Sequence, residues 1–154
     1  MPTSTVVASK LVDLAARSGQ DLSPMQIVRL AYICQGWMMA LYDRPLFTDP
    51  IFTGKFGPEI PDLLNAFKIA RDGRIIFAPP ASTASPLEAL EEDVVAQVLE
   101  NYGQFDDAAL HELTAKPGTP WHHAISRHSA ALQIPLDWLR TYYANVSRQS
   151  FVAA

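Results

Sequence analysis

Cysteine is almost missing from this chain. Cys34 is the only one in 154 residues, so no disulfide can close within it and a two-cysteine zinc ribbon is excluded. A reducing compartment suits that composition. Positive charge is scarce too: 12 Lys and Arg against 16 Asp and Glu leave a formal charge of -4. There is no broad basic field to hold phosphates, so nucleic-acid binding is disfavoured and a basic partner suits the chain better. A membrane-spanning run is lacking as well. The most apolar stretch, residues 27–41, carries Arg29 and Gln35 and falls short of the roughly 20 apolar residues a spanning helix needs. It reads as a buried core helix. The N-terminal stretch has neither a basic start before a long apolar run nor a small-residue cleavage site, so a cytoplasmic protein with no membrane partner is expected. Finally, no Gly-x-Ser-x-Gly elbow, Walker loop or dinucleotide fingerprint occurs. Gly54-Lys55-Phe56-Gly57 has two glycines and a lysine at the wrong spacing to cradle phosphate.

What is present describes one helical domain. The length suits a single core, and 49% apolar with 18% charged residues is an ordinary globular balance. From Val6 to Arg17, Val7, Leu11, Leu14 and Ala15 share a helical face, and Gly19 ends the helix. Ser23-Pro24-Met25-Gln26 is a start signal: Ser23 caps, Pro24 fits the first turn and Gln26 completes a capping box. The helix that follows, to Tyr42, is apolar nearly all round and should be central. Residues 43–57 are rich in Pro and Gly and predict a loop with one short strand. The Lys55-Phe56-Gly57-Pro58 corner then leads into a third helix, with Ile60, Leu63, Leu64 and Phe67 on its inner stripe. Asp72-Gly73 is a turn, and residues 74–77 are expected to pair with residues 51–53. Residues 78–85 read as an exposed loop. Ser85-Pro86-Leu87-Glu88 predicts the cap of a fourth helix that ends at Gly103. Asp106 or Asp107 opens a short helix to Leu113, Thr119-Pro120 opens another, and the last runs from about Pro135 to Val146. The expected fold is mainly α, a single-domain bundle of about six to seven helices over residues 1–154 with a minor β-hairpin. A frayed tail is expected over residues 147–154.

Few constellations promise chemistry. His111-Glu112-Leu113-Thr114-Ala115 begins like the zinc-protease helix, but Ala115 stands where the second histidine is needed. His122, His123 and His128 cluster, yet adjacent histidines point about 100° apart on a helix. Cys34 lies in the most apolar helix, where burial disfavours the thiolate. Glu88, Glu91, Glu92 and Asp93 crowd a helix start, where acids are expected as a solvated face. The arginines are scattered without interleaved aromatics. No catalytic residue, metal ligand or cofactor is assigned. Trp37, Trp121 and Trp138 suit a core, although Trp121, at a loop-to-helix corner, could anchor an interface.

Taken together, Leu22 to Gln26, Leu30 to Trp37 with Tyr32, Gly36 and Trp37, and Pro45-Leu46-Phe47 resemble the opening of the Panacea domain family. Its members include SocA-like antitoxins and phage-associated GepA-like proteins. Phe56-Gly57-Pro58-Glu59-Ile60-Pro61 is similar to the family's Gly-Pro corner, and Val98 to Gly103, Leu110 to Thr114 and Pro120-Trp121 follow in the family's order. The chain departs from the pattern at Met25 and Arg29, where lysines are usual, and at Ala115, where a histidine often follows the threonine. The resemblance implies a helical, non-enzymatic antitoxin that neutralises one cognate protein toxin. In the SocA-like branch this goes through an adaptor that presents the toxin to the ClpXP protease. Expected contacts, chosen by exposure and residue type, are Lys55, Phe56 and Glu59 at the corner with Trp121, His122 and Tyr142. The tail Phe151-Val152-Ala153-Ala154 resembles the small apolar C-termini that such unfoldases recognise. Two other readings stay open: a DNA-binding repressor of its own operon, and a histidine-dependent enzyme built on His111, His122 or His123.

Overall fold

The computed structural model describes residues 1–81, 84–127 and 132–153, with side chains placed up to residue 149. Helix α1 (Ser4–Arg17) starts at Thr3, whose hydroxyl accepts from the Val6 amide at 3.3 Å. It buries Val7, Leu11 and Ala15 and ends where Gly19 takes a φ of +75°, a conformation that favours glycine. Helix α2 (Pro24–Tyr42) opens with the expected capping box. The Ser23 hydroxyl accepts from the Gln26 amide at 3.1 Å, while the Gln26 side chain accepts from the Ser23 amide at 2.7 Å.

Helix α2 is the axis of the fold. Its residues from Ile27 to Gly36 are all buried, because α1 and helices α4 (Ala89–Tyr102), α5 (Asp107–Ala115) and α7 (Leu136–Ala153) pack around it. Even its polar side chains are spoken for. Gln35 donates to the Phe47 carbonyl at 2.6 Å and accepts from the Leu46 amide at 2.7 Å, which ties the following loop to the core. Helix α7 runs antiparallel to α2: Arg140 pairs with Asp43 at 2.7 Å near one end, while Tyr143 packs on Gly36 further along. A short helix α6 (Pro120–Arg127) joins α5 to the segment before α7.

Two antiparallel hairpins complete the described structure, and they differ from the expected pairing. Strand β1 (Phe52–Gly54) pairs with β2 (Gly57–Glu59), and β3 (Phe67–Ile69) pairs with β4 (Ile75–Phe77). Residues 51–53 and 74–77 therefore do not meet. Each strand finds a partner across a short turn, where loop closure costs least. The outer side of β1 is taken instead by residues 132–134. The third helix is likewise only one turn, α3 (Pro61–Leu64). Phe67 leaves it for β3, where its ring meets Phe77 edge-on at 5.5 Å across the Asp72-Gly73 turn, and Leu64 is exposed. Helix α4 starts one turn later than expected, capped by Glu88 with Glu91 reaching back to its amide at 2.8 Å. Helix α5 runs on to Ala115. Helix α7 passes the expected end at Val146, and the tail expected to fray is helical backbone as far as Ala153. His128 and Ala154 lie outside the described residues.

Candidate partner-binding site

The β1–β2 hairpin raises Lys55 and Phe56 on its turn. Gly57 adopts a φ of +143°, which side chains rarely tolerate, and a Cβ on Gly54 would meet Glu59 side-chain atoms at 2.3–2.4 Å. The turn therefore needs glycine at both ends. Phe56 is 64% exposed, with the Lys55 ammonium 5.4 Å from its ring centre, and Glu59 is exposed beside them. An exposed phenylalanine of this kind is the unusual feature of the hairpin, since a solitary aromatic gains little from water.

Two buried side chains hold the hairpin from below. Trp121, expected at the surface, is only 8% exposed, and its indole N–H donates to the Gly54 carbonyl at 2.8 Å. Its burial departs from the expected exposure: the loop-to-helix corner at Thr119-Pro120 turns the indole inward, under β1, where it anchors the strand. The Thr119 hydroxyl accepts from the His122 amide at 3.3 Å and so sets the start of α6. Arg29 is the second anchor. It is 5% exposed and donates to the Asp107 carbonyl at 3.1 Å and the Phe56 carbonyl at 3.5 Å, with one guanidinium nitrogen 3.5 Å from His111 Nδ1. Burial lowers its affinity for the proton, opposed by the Asp107 charge. Its Nε has no hydrogen-bond partner among the described residues. His111 is thus half-buried against Arg29 rather than on an open helix turn.

His122 and Tyr142 meet in a different feature, a cleft of about 390 Å³ between α6 and α7 that Trp138, Thr141 and Asn145 also line. His123 borders it with its ring edge-on to Trp138 at 4.9 Å. Ser126 Oγ donates to the His122 carbonyl at 2.7 Å and lies 3.4 Å from its Nδ1. The expected contact residues therefore divide into three groups: Lys55, Phe56 and Glu59 on the hairpin, His122 and Tyr142 in the cleft, and Trp121 buried under the hairpin's first strand.

The remaining signature residues are structural. Pro58 and Pro120 are buried, Tyr32 is buried, and Trp37 donates to the Tyr102 hydroxyl at 3.0 Å. Glu91, expected in a solvated face, is 2% exposed and 3.5 Å from Arg44. Its place in the capping box turns it inward, where the arginine offsets its charge. Burial pushes the Cys34 thiol well up from its ordinary value. Among the described residues no group of three His, Cys, Asp or Glu is placed to hold a metal ion, and no helix is long and apolar enough to cross a membrane. Arg29 and its ties to Phe56 and His111 were not foreseen. The available signal was a charged residue inside an otherwise apolar helix, which must find partners once buried.

A family model described as antitoxin SocA-like, Panacea domain, matches residues 27–122. That range holds α2 from Ile27 onward, both hairpins, α3, α4, α5 and the start of α6 with Trp121 and His122; Tyr142 lies beyond it. Neither the curated proteins nor the solved structures include a match.

Proposed function

Because the chain belongs to the SocA-like antitoxin family with its Panacea domain, we propose that it neutralises a cognate protein toxin by binding it, without chemistry on the toxin. Family membership carries this reading. The β1–β2 hairpin supports it physically, since Phe56 is an exposed aromatic on a turn whose backbone is already fixed by Arg29 and Trp121. An anchor ordered before binding loses little freedom on docking, and such aromatics commonly dominate interface energetics. Lys55 and Glu59 frame it with opposite charges and would orient the partner. The cleft that holds His122 and Tyr142 supplies a second contact.

The finer step is delivery: the complex hands the toxin to ClpXP, as the SocA-like resemblance implies. Two measurements separate the steps. The adjacent open reading frame is expressed alone and with this protein, and growth and complex formation are followed. Rescue with a stable complex supports the antitoxin. A toxin that is harmless alone, or that does not bind, refutes it. If rescue persists unchanged in cells lacking ClpXP, neutralisation is by blocking and the adaptor step is wrong. Phe56→Ala is expected to weaken binding roughly thirtyfold, the effect of an anchor worth about 2 kcal/mol.

A further inference from the structure

The two hairpins differ at their edges. On the first, β1 is covered: the Thr53 amide donates to the Leu132 carbonyl at 2.9 Å and the Ile134 amide to the Ile51 carbonyl at 2.7 Å. Its other strand contains Pro58, which has no amide to offer. Among the described residues the second hairpin has neither protection. Ala70 donates to the Arg74 carbonyl at 2.7 Å and Ala78 to the Ala66 carbonyl at 2.7 Å, and this fixes the alternation of its ladder. In an antiparallel pair every second position bonds across and the positions between turn their N–H and C=O outward. Ile75 and Phe77 are therefore the outward positions of β4, and Ile76 is an inward one.

A groove of about 890 Å³ runs along that free edge. Its walls are Ile75, Ile76 and Phe77 on one side and Val12 with residues 21–27 on the other, and no β3 residue lines it. Exposed apolar side chains gather here: Ile75 is 54% exposed, and Ile76 and Met25 also face solvent. Its charges are unequal. Arg74 is already paired with Asp72 at 2.7 Å, and the Asp107 carboxylate accepts from the Ser23 hydroxyl at 2.6 Å, whereas Asp21 has no cationic partner among the described residues.

We propose that β4 is a strand-docking edge. An extended segment of the toxin, apolar with a Lys or Arg that reaches Asp21, adds antiparallel or parallel to it and bonds the Ile75 and Phe77 backbone. An open edge supplies main-chain affinity, the apolar groove accepts alternate side chains, and the lone carboxylate selects the cation. This rests on the antitoxin reading and adds a contact separate from both the β1–β2 hairpin and the cleft of His122 and Tyr142.

The test is residue-resolved amide hydrogen exchange, free and in complex with the purified product of the adjacent gene. In the free protein Ile75 and Phe77 should exchange fast and Ile76 slowly; in the complex Ile75 and Phe77 should slow by at least tenfold. A complex that forms while these amides stay fast overturns the docking edge and leaves the antitoxin reading intact. No complex at all removes both. Slowing that grows with the concentration of this protein alone would assign the edge to a second copy and overturn the toxin assignment. Ile75→Pro removes an outward donor together with an apolar side chain of the groove, leaves the inward ladder bonds in place, and should weaken toxin binding roughly threefold to tenfold with the hairpin retained. Asp21→Lys, which leaves the backbone untouched, should weaken it in the same sense and make the remaining affinity less sensitive to salt. Unchanged affinity in both variants overturns the proposal.

Discussion

Gly36→Ala is the substitution that tests the packing of the helical frame most directly. Gly36 faces Tyr143 across the α2–α7 contact, and a Cβ there would sit 2.2 and 2.3 Å from two ring carbons. The ring has little room to yield: Trp37 is 5.5 Å away, Tyr142 5.1 Å and Tyr32 6.5 Å, centre to centre. Overpacking a tight core costs about 1–3 kcal/mol, and an overlap of more than 1 Å at two atoms puts this site at the upper end. Against that, alanine favours the helix by about 1 kcal/mol over glycine. The net expectation is a loss of about 2 kcal/mol, which for a domain of this size lowers Tm by roughly 4–8 °C. Urea unfolding and calorimetry of Gly36→Ala, Tyr143→Leu and the double variant would measure it. In the double variant the clash is gone and the alanine should help, so the two changes must couple by about 2 kcal/mol or more. If Gly36→Ala is as stable as the parent, or the two changes add without coupling, the close approach of α2 and α7 is not what requires glycine.

Three further outcomes follow from buried polar groups. The Tyr32 hydroxyl is buried without a hydrogen-bond partner among the described residues, so Tyr32→Phe should stabilise the protein by about 1 kcal/mol in denaturant unfolding; a loss of that size would mean the hydroxyl is satisfied. Burial raises the Tyr32 and Tyr143 hydroxyls above their ordinary value of 10.0. The unfolded chain therefore loses those protons first: stability is full below about pH 10 and falls above it, by about 1.4 kcal/mol per pH unit for each tyrosine. Thermal melts between pH 8 and 11.5 should show the fall, with a smaller slope in Tyr32→Phe; a flat profile would contradict the burial. Trp121→Phe removes the indole bond to the buried Gly54 carbonyl and should cost about 1–3 kcal/mol while loosening Lys55 and Phe56, measured as faster amide exchange at residues 54–57.

How much of this could be read beforehand depended on how far the deciding partner lies along the chain. The Ser23 capping box, the core stripe of α1 and the proline start of α6 are local, and they stand where residue type and period put them. The stripe Ile60, Leu63, Leu64 and Phe67 had helical spacing too, yet Phe67 obeys a strand partner, Phe77, instead. Periodicity records where apolar groups recur and not which neighbour competes for them. Arg29 and Trp121 were opaque for the same reason. Arg29 acquires its meaning from Phe56 and Asp107, which are 27 and 78 residues away in sequence, and Trp121 from Gly54 at a separation of 67. Lys55, Phe56 and Glu59 are exposed as residue type and loop position suggested, whereas Trp121 is buried.

The hairpins give the fold its division of labour. Helix α2 supplies rigidity because it is enclosed by helices on most sides, and its exposed side chains, Met25, Leu41 and Tyr42, stand only at its two ends. Contacts through either hairpin would come from what α2 holds at its margins. It holds the first hairpin through the Arg29 bond to the Phe56 carbonyl, and it borders the second through Met25, Gln26 and Ile27 at its start. The two are suited to different recognition. The first has blocked edges and an exposed side chain, so it can offer only side-chain contacts. The second has an open edge and an apolar groove, so it can offer main-chain bonds that depend little on the partner's sequence. A partner that used both would be selected by Phe56 and held along β4. The prediction that separates these roles is that Phe56→Ala changes which toxin is bound, whereas Ile75→Pro weakens all of them alike. Competition between the cognate toxin and an unrelated toxin of the same family context would test it, and equal discrimination by the two variants would refute the division.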